Sequence, residues 1–252
     1  MVISWRRRLI LPWLQELGPR LMDMDLLSSE LSTTQATSLC DRLRTDLLEG
    51  RLKPGRKLQL KFLMEEYQAG QTPIREALNR LASEGLVALR DQRGFTVTGI
   101  SIPELLELTR TRIWLEERAL RESMKVACVE WEEGVVLAWH RLSKTRRSLS
   151  DAGLESNPDW DRLHRLFHRQ LIIGCGSRWL IGYCDQQVDL LYRYRQLSAR
   201  KAFPTRNLHD EHEAITRAVV DGNADHAVAL LSAHFQASAD IISADPTLFA
   251  VA

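Results

Sequence analysis

QTPIREALNRL, residues Gln71 to Leu81, is the stretch on which the reading of this chain turns. Ile74, Ala77, Leu78 and Leu81 fall on one side of a helix. Gln71, Thr72 and Arg75 crowd its first turn, where Thr72 can cap and Pro73 is tolerated because its missing N–H would have no helical partner anyway. Polar donors at one end of a short, well-packed helix suit insertion into a DNA major groove.

The flanking sequence supplies the rest of such a module. Ser32 to Thr34 offer a cap for a helix over Gln35 to Leu48, where Leu39, Leu43 and Leu47 recur at helical spacing. Gly50 ends it, and Pro54-Gly55 makes a tight bend. A second helix, Gln59 to Tyr67, presents Leu60, Leu63 and Met64 to the same core, and Ala69-Gly70 separates it from the third. After Ser83-Glu84-Gly85, Leu86 to Arg90 and Gly94 to Thr98 read as two short strands joined by Asp91 to Arg93. Three helices and a hairpin predict a winged helix-turn-helix over residues 35–100. Arg93 and Gly94 lie at its tip, where a planar cation suits a narrow minor groove. Each contact residue also has an ordinary role: Arg75 a solvated charge, Arg80 a partner of Glu84 or Glu76, Thr72 a cap, Gln71 a turn residue.

Composition sets the outer limits. With 252 residues and 44% hydrophobic content the chain can build two modest domains, which excludes a disordered chain. The net charge of +1 conceals a local bias, because residues 35–98 carry eleven Lys or Arg against eight Asp or Glu. Cys40, Cys128, Cys175 and Cys184 form no CxxC pair, and no secretory signal or membrane-length apolar run is visible, so a reducing cytoplasm is the expected setting. Residues 1–34 stand apart. WRRRLILPWL (Trp5 to Leu14) is basic and apolar, either a membrane-surface helix or, as expected here, an unstructured extension or sequence upstream of a start at Met22 or Met24.

Residues 101–245 lose the strand signals and predict a bundle of six or seven helices, so the fold class is mainly α. Leu105, Leu108, Arg112, Leu115 and Ala119 form an inward series on the first of them. Trp131 to Arg147, Trp160 to Ile173, Ser177 to Arg200, Leu208 to Asp221 and Asn223 to Ile242 follow, with Ala152 to Pro158 and Gly222 as connections. His164 and His168 share a helix face with Asp161 one turn earlier, and His212 and His234 lie across the Gly222 turn at similar heights. Three imidazoles meeting in a dry bundle suit zinc or nickel, while hydrogen-bonded core histidines are the plain alternative. His140, His209 and His226 have weaker cases. Histidines with Asp161 and a zinc ion could also activate water, so a metal-dependent hydrolase competes, as does an architectural DNA binder whose bundle only dimerises.

EGRLKPGRKL, TPIREALNRLASEGLV and RDQRGFTV together resemble the GntR family of bacterial transcriptional regulators. The resemblance places Gln71, Thr72 and Arg75 at DNA-contact positions and Arg93 and Gly94 at the wing; many relatives have Ser-Arg where this chain has Gly70-Gln71. RIWLEERAL, LHRLFHRQL and EHEAITRAVVDGNADHAVALLSAHF resemble the ligand-sensing FCD domain of the FadR-type branch. Metal-binding relatives use one Asp and three His. The three His map to His168, His212 and His234, and the Asp position holds His164. This implies four histidine ligands, or Asp161 in place of the carboxylate, or three histidines completed by effector or water, with zinc, nickel or manganese as the ion.

LRESMK followed by WEE, LHRLFHRQLIIGCGS and YRYRQLS are similar to the glutarate-responsive, carbon-starvation-induced subgroup. A small carboxylate effector would then meet Arg112, Arg193 or Arg195, and Tyr194. Arg112 can equally pair with Glu116, and the Arg193-Tyr194-Arg195 run points in several directions. The implied protein is a homodimeric repressor on an inverted-repeat, double-stranded operator, released by a small organic acid, with no membrane partner.

Overall fold

The computed structural model describes residues 35–90, 94–126, 128–150, 157–202, 206–245 and 249. The cap at Ser32 to Thr34, the extension, Arg93 with its loop and most of the 152–158 connection lie outside them.

The head runs α1 (Gln35–Leu48), β1 (Lys57–Leu58), α2 (Leu60–Tyr67), α3 (Gln71–Ser83), β2 (Val87–Arg90) and β3 (Gly94–Val97). Leu39, Cys40, Leu43 and Leu47 of α1 and Leu63 and Tyr67 of α2 close over Ile74, Ala77, Leu78 and Leu81 of α3. The hairpin pairs Leu89 with Phe95 and Arg90 with Gly94, and the short β1 adds Leu58 opposite Phe95 on the other edge, giving the order β1-β3-β2. A two-residue strand shows no alternation, so β1 was not foreseeable from the pattern.

One expectation is corrected here. Thr72 does not cap α3: the helix starts at Gln71, with the extended Gly70 as N-cap and no side-chain cap bond. A missing side-chain cap costs about 1 kcal/mol, whereas each buried leucine contributes roughly 1.5–3, so the apolar stripe holds α3.

The bundle comprises α4 (Ile102–Val126), α5 (Val129–Ser143), α6 (Pro158–Ile172), α7 (Arg178–Ala202), α8 (Leu208–Val220) and α9 (Ala224–Ser243), with a 3₁₀ turn at Ile173–Cys175. Asn157, Asn207 and Asn223 cap α6, α8 and α9 by accepting from backbone N–H groups. Gly222, at φ 70°, makes the left-handed turn that folds α9 back on α8. The core joins Leu120, Trp131, Val135, Phe167, Leu171, Ile215, Leu231 and Phe235.

Helix α4 departs from its expected inward series. Its buried face is Leu105, Thr109, Glu116, Ala119, Leu120 and Ser123, while Leu108, Arg112 and Leu115 are half-buried. A 25-residue helix packed against α7 and α9 meets a polar interior along part of its length, which an apolar count cannot register.

Candidate functional site

On the head, Gln71, Thr72 and Arg75 are all exposed, and among the described residues none of the three side chains is hydrogen-bonded or ion-paired. Their helix is held from behind by apolar packing and by Arg44, which donates to Glu84 at 2.7 Å, so the donors project from a fixed element. Arg80 stands 3.5 Å from Glu84 and is mostly exposed, its ordinary intrahelical role. Gly94 opens β3 at φ 77°, a left-handed conformation that a side chain would strain.

In the bundle, α6, α8 and α9 bring together His164, His168, His212 and His234, one ligand nitrogen of each lying within 4.8 Å of all the others. Nε2 of His164 and Nε2 of His168 are 3.2 Å apart. His168, His212 and His234 are buried. Burial is the main force pushing all four imidazoles below their usual range, His234 to about 4, so near neutrality they keep lone pairs for an ion. Nε2 of His212 is buried without a hydrogen-bond partner, an orphan that a cation would satisfy. On its far side His234 turns Nδ1 to Glu211 at 2.8 Å, which leaves Nε2 for the cluster. Although burial raises the Glu211 carboxyl, hydrogen bonds from His234 and Arg206 outweigh it and bring it to about 2. The donor set thus fits a divalent ion of borderline softness.

Asp161 is not a member of that set. Its carboxylate accepts from Arg195 at 2.5 Å and from Tyr192 and Gln196 at 3.0 Å each. The substitution of Asp161 for the carboxylate ligand therefore has no geometric basis.

A cationic wall adjoins the histidines. Arg195 reaches Nδ1 of His164 at 2.7 Å, and the Arg195 and Arg147 guanidiniums both approach the Trp160 ring, at 5.7 and 5.6 Å. That ring stacks on His164 at 4.7 Å. Burial, then repulsion from Arg195 and Arg206, pulls Arg147 down to about 10. Arg112 pairs with buried Glu116 at 2.6 Å and lies 3.8 Å over Phe235. A cavity of about 320 Å³, lined by Glu116, Leu166, His168 and Cys184 among others, reaches the back of His168. The guanidiniums on this cavity's lining are those of Arg162, Arg165 and Arg169, while Arg195 and Arg147 meet the histidine chamber from the Trp160 side.

Two expected effector residues face elsewhere. Arg193 donates to the carbonyls of Thr98 and of Gly99, the latter at 3.3 Å, and the Tyr194 hydroxyl binds Glu104 and the Ser101 N–H. Consecutive helical residues diverge by about 100°, so only Arg195 of the three reaches the histidines. Arg147, Arg206 and Glu211 were missed; the spacing of Arg206 and Glu211 across a helix start was their only trace.

A winged helix with free donors on its third helix, joined to an all-α body with a buried polar chamber, is the build of a DNA-binding regulator that carries its own sensor. The family described as bacterial regulatory proteins, gntR family, matches residues 35–97, and the FCD domain matches residues 107–237. The uncharacterized HTH-type transcriptional regulator BphR of Paraburkholderia xenovorans is 37% identical over 80% of this chain and 82% of its own length. The HTH-type transcriptional repressor GlaR of Escherichia coli is 31% identical over 79% and 92%. Among solved structures, E. coli McbR/YncC shares the fold at a TM-score of 0.68 and 20% identity, covering 83% of this chain and 97% of that one. This chain belongs to the GntR family, in the group that carries an FCD domain. It is a DNA-binding transcriptional regulator and not an enzyme, which sets the hydrolase reading aside. Among the described residues no helix is long and apolar enough to cross a membrane.

Proposed function

We propose that this regulator is a metal-dependent, acid-responsive repressor. Residues 35–100 serve as head and 101–245 as sensing and dimerising body, and a homodimer sets two α3 helices on an inverted repeat. Gln71, Thr72 and Arg75 read or position the duplex, with Arg80 on phosphate and Arg93 and Gly94 at the wing. His168, His212 and His234 hold a divalent ion with His164 as fourth donor. The neutral nitrogen set favours zinc or nickel over manganese. The ion would supply an electrophilic seat for an effector carboxylate, which Arg195 and Arg112 orient.

The convergence of four imidazoles, three of them buried, beside a cationic wall carries this reading. Similarity to a protein described as a repressor, GlaR, supports the sign of regulation, and a small dicarboxylate of the glutarate type is the proposed effector. The test is elemental analysis after chelator-free purification, with operator binding measured at one salt concentration across C3 to C6 dicarboxylates. A metal-free protein, or an operator affinity unmoved by every acid, would overturn it.

A further inference from the structure

We infer that Tyr192 is the positioning residue that carries the state of the histidine chamber to the DNA-reading head, because its hydroxyl is tied to Asp161 while its ring packs against the head's apolar core. The inference rests on the reading that an acid occupies the chamber.

Every link is visible in one turn and a half of α7. Tyr192, Arg195 and Gln196 stand at i, i+3 and i+4, so they share a face, and all three converge on the Asp161 carboxylate. The Arg195 guanidinium also lies 5.0 Å over the Tyr192 ring. Leu190 and Tyr192 are the α7 side chains packed against the core of the head. A methyl group built on Gly85, at the end of α3's turn, would lie 3.5 Å from Leu190, so Leu190 overhangs that turn. Arg193, rotated away from Asp161, ties the same stretch of α7 to the Thr98 and Gly99 carbonyls where the wing ends.

Arg195 is the shared element. It spans Nδ1 of His164 and Oδ1 of Asp161, and an anion arriving in the chamber competes for the same guanidinium. When Arg195 turns to that anion, Asp161, only 13% exposed, loses the guanidinium hydrogen-bonded to it and keeps the Tyr192 and Gln196 hydrogen bonds. A carboxylate largely withdrawn from water follows the charge that hydrogen-bonds it, so Asp161 moves with the guanidinium, and that movement pulls on Tyr192. Burial and the neighbouring Asp161 push the Tyr192 hydroxyl up to about 12, so it remains a donor throughout the physiological range. Coupling requires such a differential contact, one made in one state and altered in the other.

The experiment uses full-length, zinc-loaded protein and an operator recovered by in-vitro selection, with succinate, glutarate and adipate as probes. Calorimetry reads acid binding, and fluorescence anisotropy at fixed salt reads operator binding. Wild-type operator affinity should fall at least ten-fold with the acid that binds best. Tyr192→Phe should bind that acid, and the operator without acid, within two-fold of wild type, yet lose less than three-fold of operator affinity on adding it. Asp161→Asn should lose the same coupling, and the double variant should lose no more than either single one. A ten-fold response retained by Tyr192→Phe overturns the inference while the acid-responsive reading stands. No binding of any probe by the wild type overturns that reading and the inference with it.

Discussion

Arg195 donates to Nδ1 of His164, and this contact fixes which nitrogen of His164 carries the proton. A guanidinium has no acceptor, so Nδ1 supplies the lone pair and neutral His164 keeps its hydrogen on Nε2. That hydrogen points at Nε2 of His168, 3.2 Å away. His168 then carries its own hydrogen on Nδ1, the atom that has no hydrogen-bond partner. In this arrangement the Nε2 lone pair of His168 accepts from His164, so an ion at His168 displaces that hydrogen bond, and His164 itself turns no lone pair to the cluster. On the proposed reading, His164 would join the donor set only once Arg195 lets go, which would set Arg195 against the fourth ligand and with the effector.

Arg195→Gln should accordingly separate the two ligands. An amide can donate to Asp161 without fixing the His164 proton, so zinc affinity in a chelator competition should match or exceed wild type. Acid affinity should fall roughly 10- to 100-fold, the range for losing one charged hydrogen bond of about 1.5–3 kcal/mol. Zinc affinity that drops in parallel with acid affinity would show that Arg195 supports the ion instead.

Glu211 tests the opposite kind of support. It accepts from His234 at 2.8 Å and is itself gripped by Arg206 at 2.6 Å, so it holds one imidazole with Nε2 turned to the cluster. Glu211→Gln keeps the shape and removes the charge. Zinc binding should weaken about 10- to 100-fold, as for other partners of metal-bound histidines, with the helical circular dichroism unchanged. Unaltered zinc affinity would mean that His234 is oriented by packing alone.

How much of this was legible in the sequence differs between head and body for a physical reason. The stripe of α3 repeats at the helical period, and a period is a property of one strand of sequence, so Ile74, Ala77, Leu78 and Leu81 announced both helix and buried face. His164 and His168 were legible for the same reason. The chamber wall was not. Arg195 was separable from Arg193 and Tyr194 only once the rotation of α7 was known, and Asp161 reads as a metal ligand until Tyr192, Arg195 and Gln196 arrive from a distant helix. The pairing of Arg112 with Glu116 was legible from their i, i+4 spacing, but the burial of Glu116 was not. Burial creates these pairs, and burial is a tertiary property.

Acid should loosen the metal-free protein through these histidines. Folding lowers their affinity for protons, so the unfolded chain binds more of them between the free imidazole value of about 6.5 and the folded value. The stabilisation is complete above pH 6.5 and is lost as pH falls toward about 4 for His234. His234 alone accounts for about 3 kcal/mol by pH 4. Urea midpoints taken in the presence of a chelator should therefore fall steeply from pH 6.5 to 4.5, and His234→Gln should flatten the curve. A wild-type midpoint that holds constant over that interval would place the imidazoles in contact with water.

Arg75→Ala should show what the exposed end of α3 does. Its guanidinium stands free on a helix whose opposite side is filled by Ile74, Ala77, Leu78 and Leu81, so the substitution leaves the fold alone. A bidentate contact to a guanine is worth about 1–3 kcal/mol, hence specific operator affinity should drop roughly 5- to 150-fold while affinity for random duplex changes little. A phosphate contact behaves otherwise: both affinities fall together and the dependence on salt becomes shallower by about one unit of slope. Measuring both duplexes at several salt concentrations distinguishes the two, because only base reading changes the ratio between them.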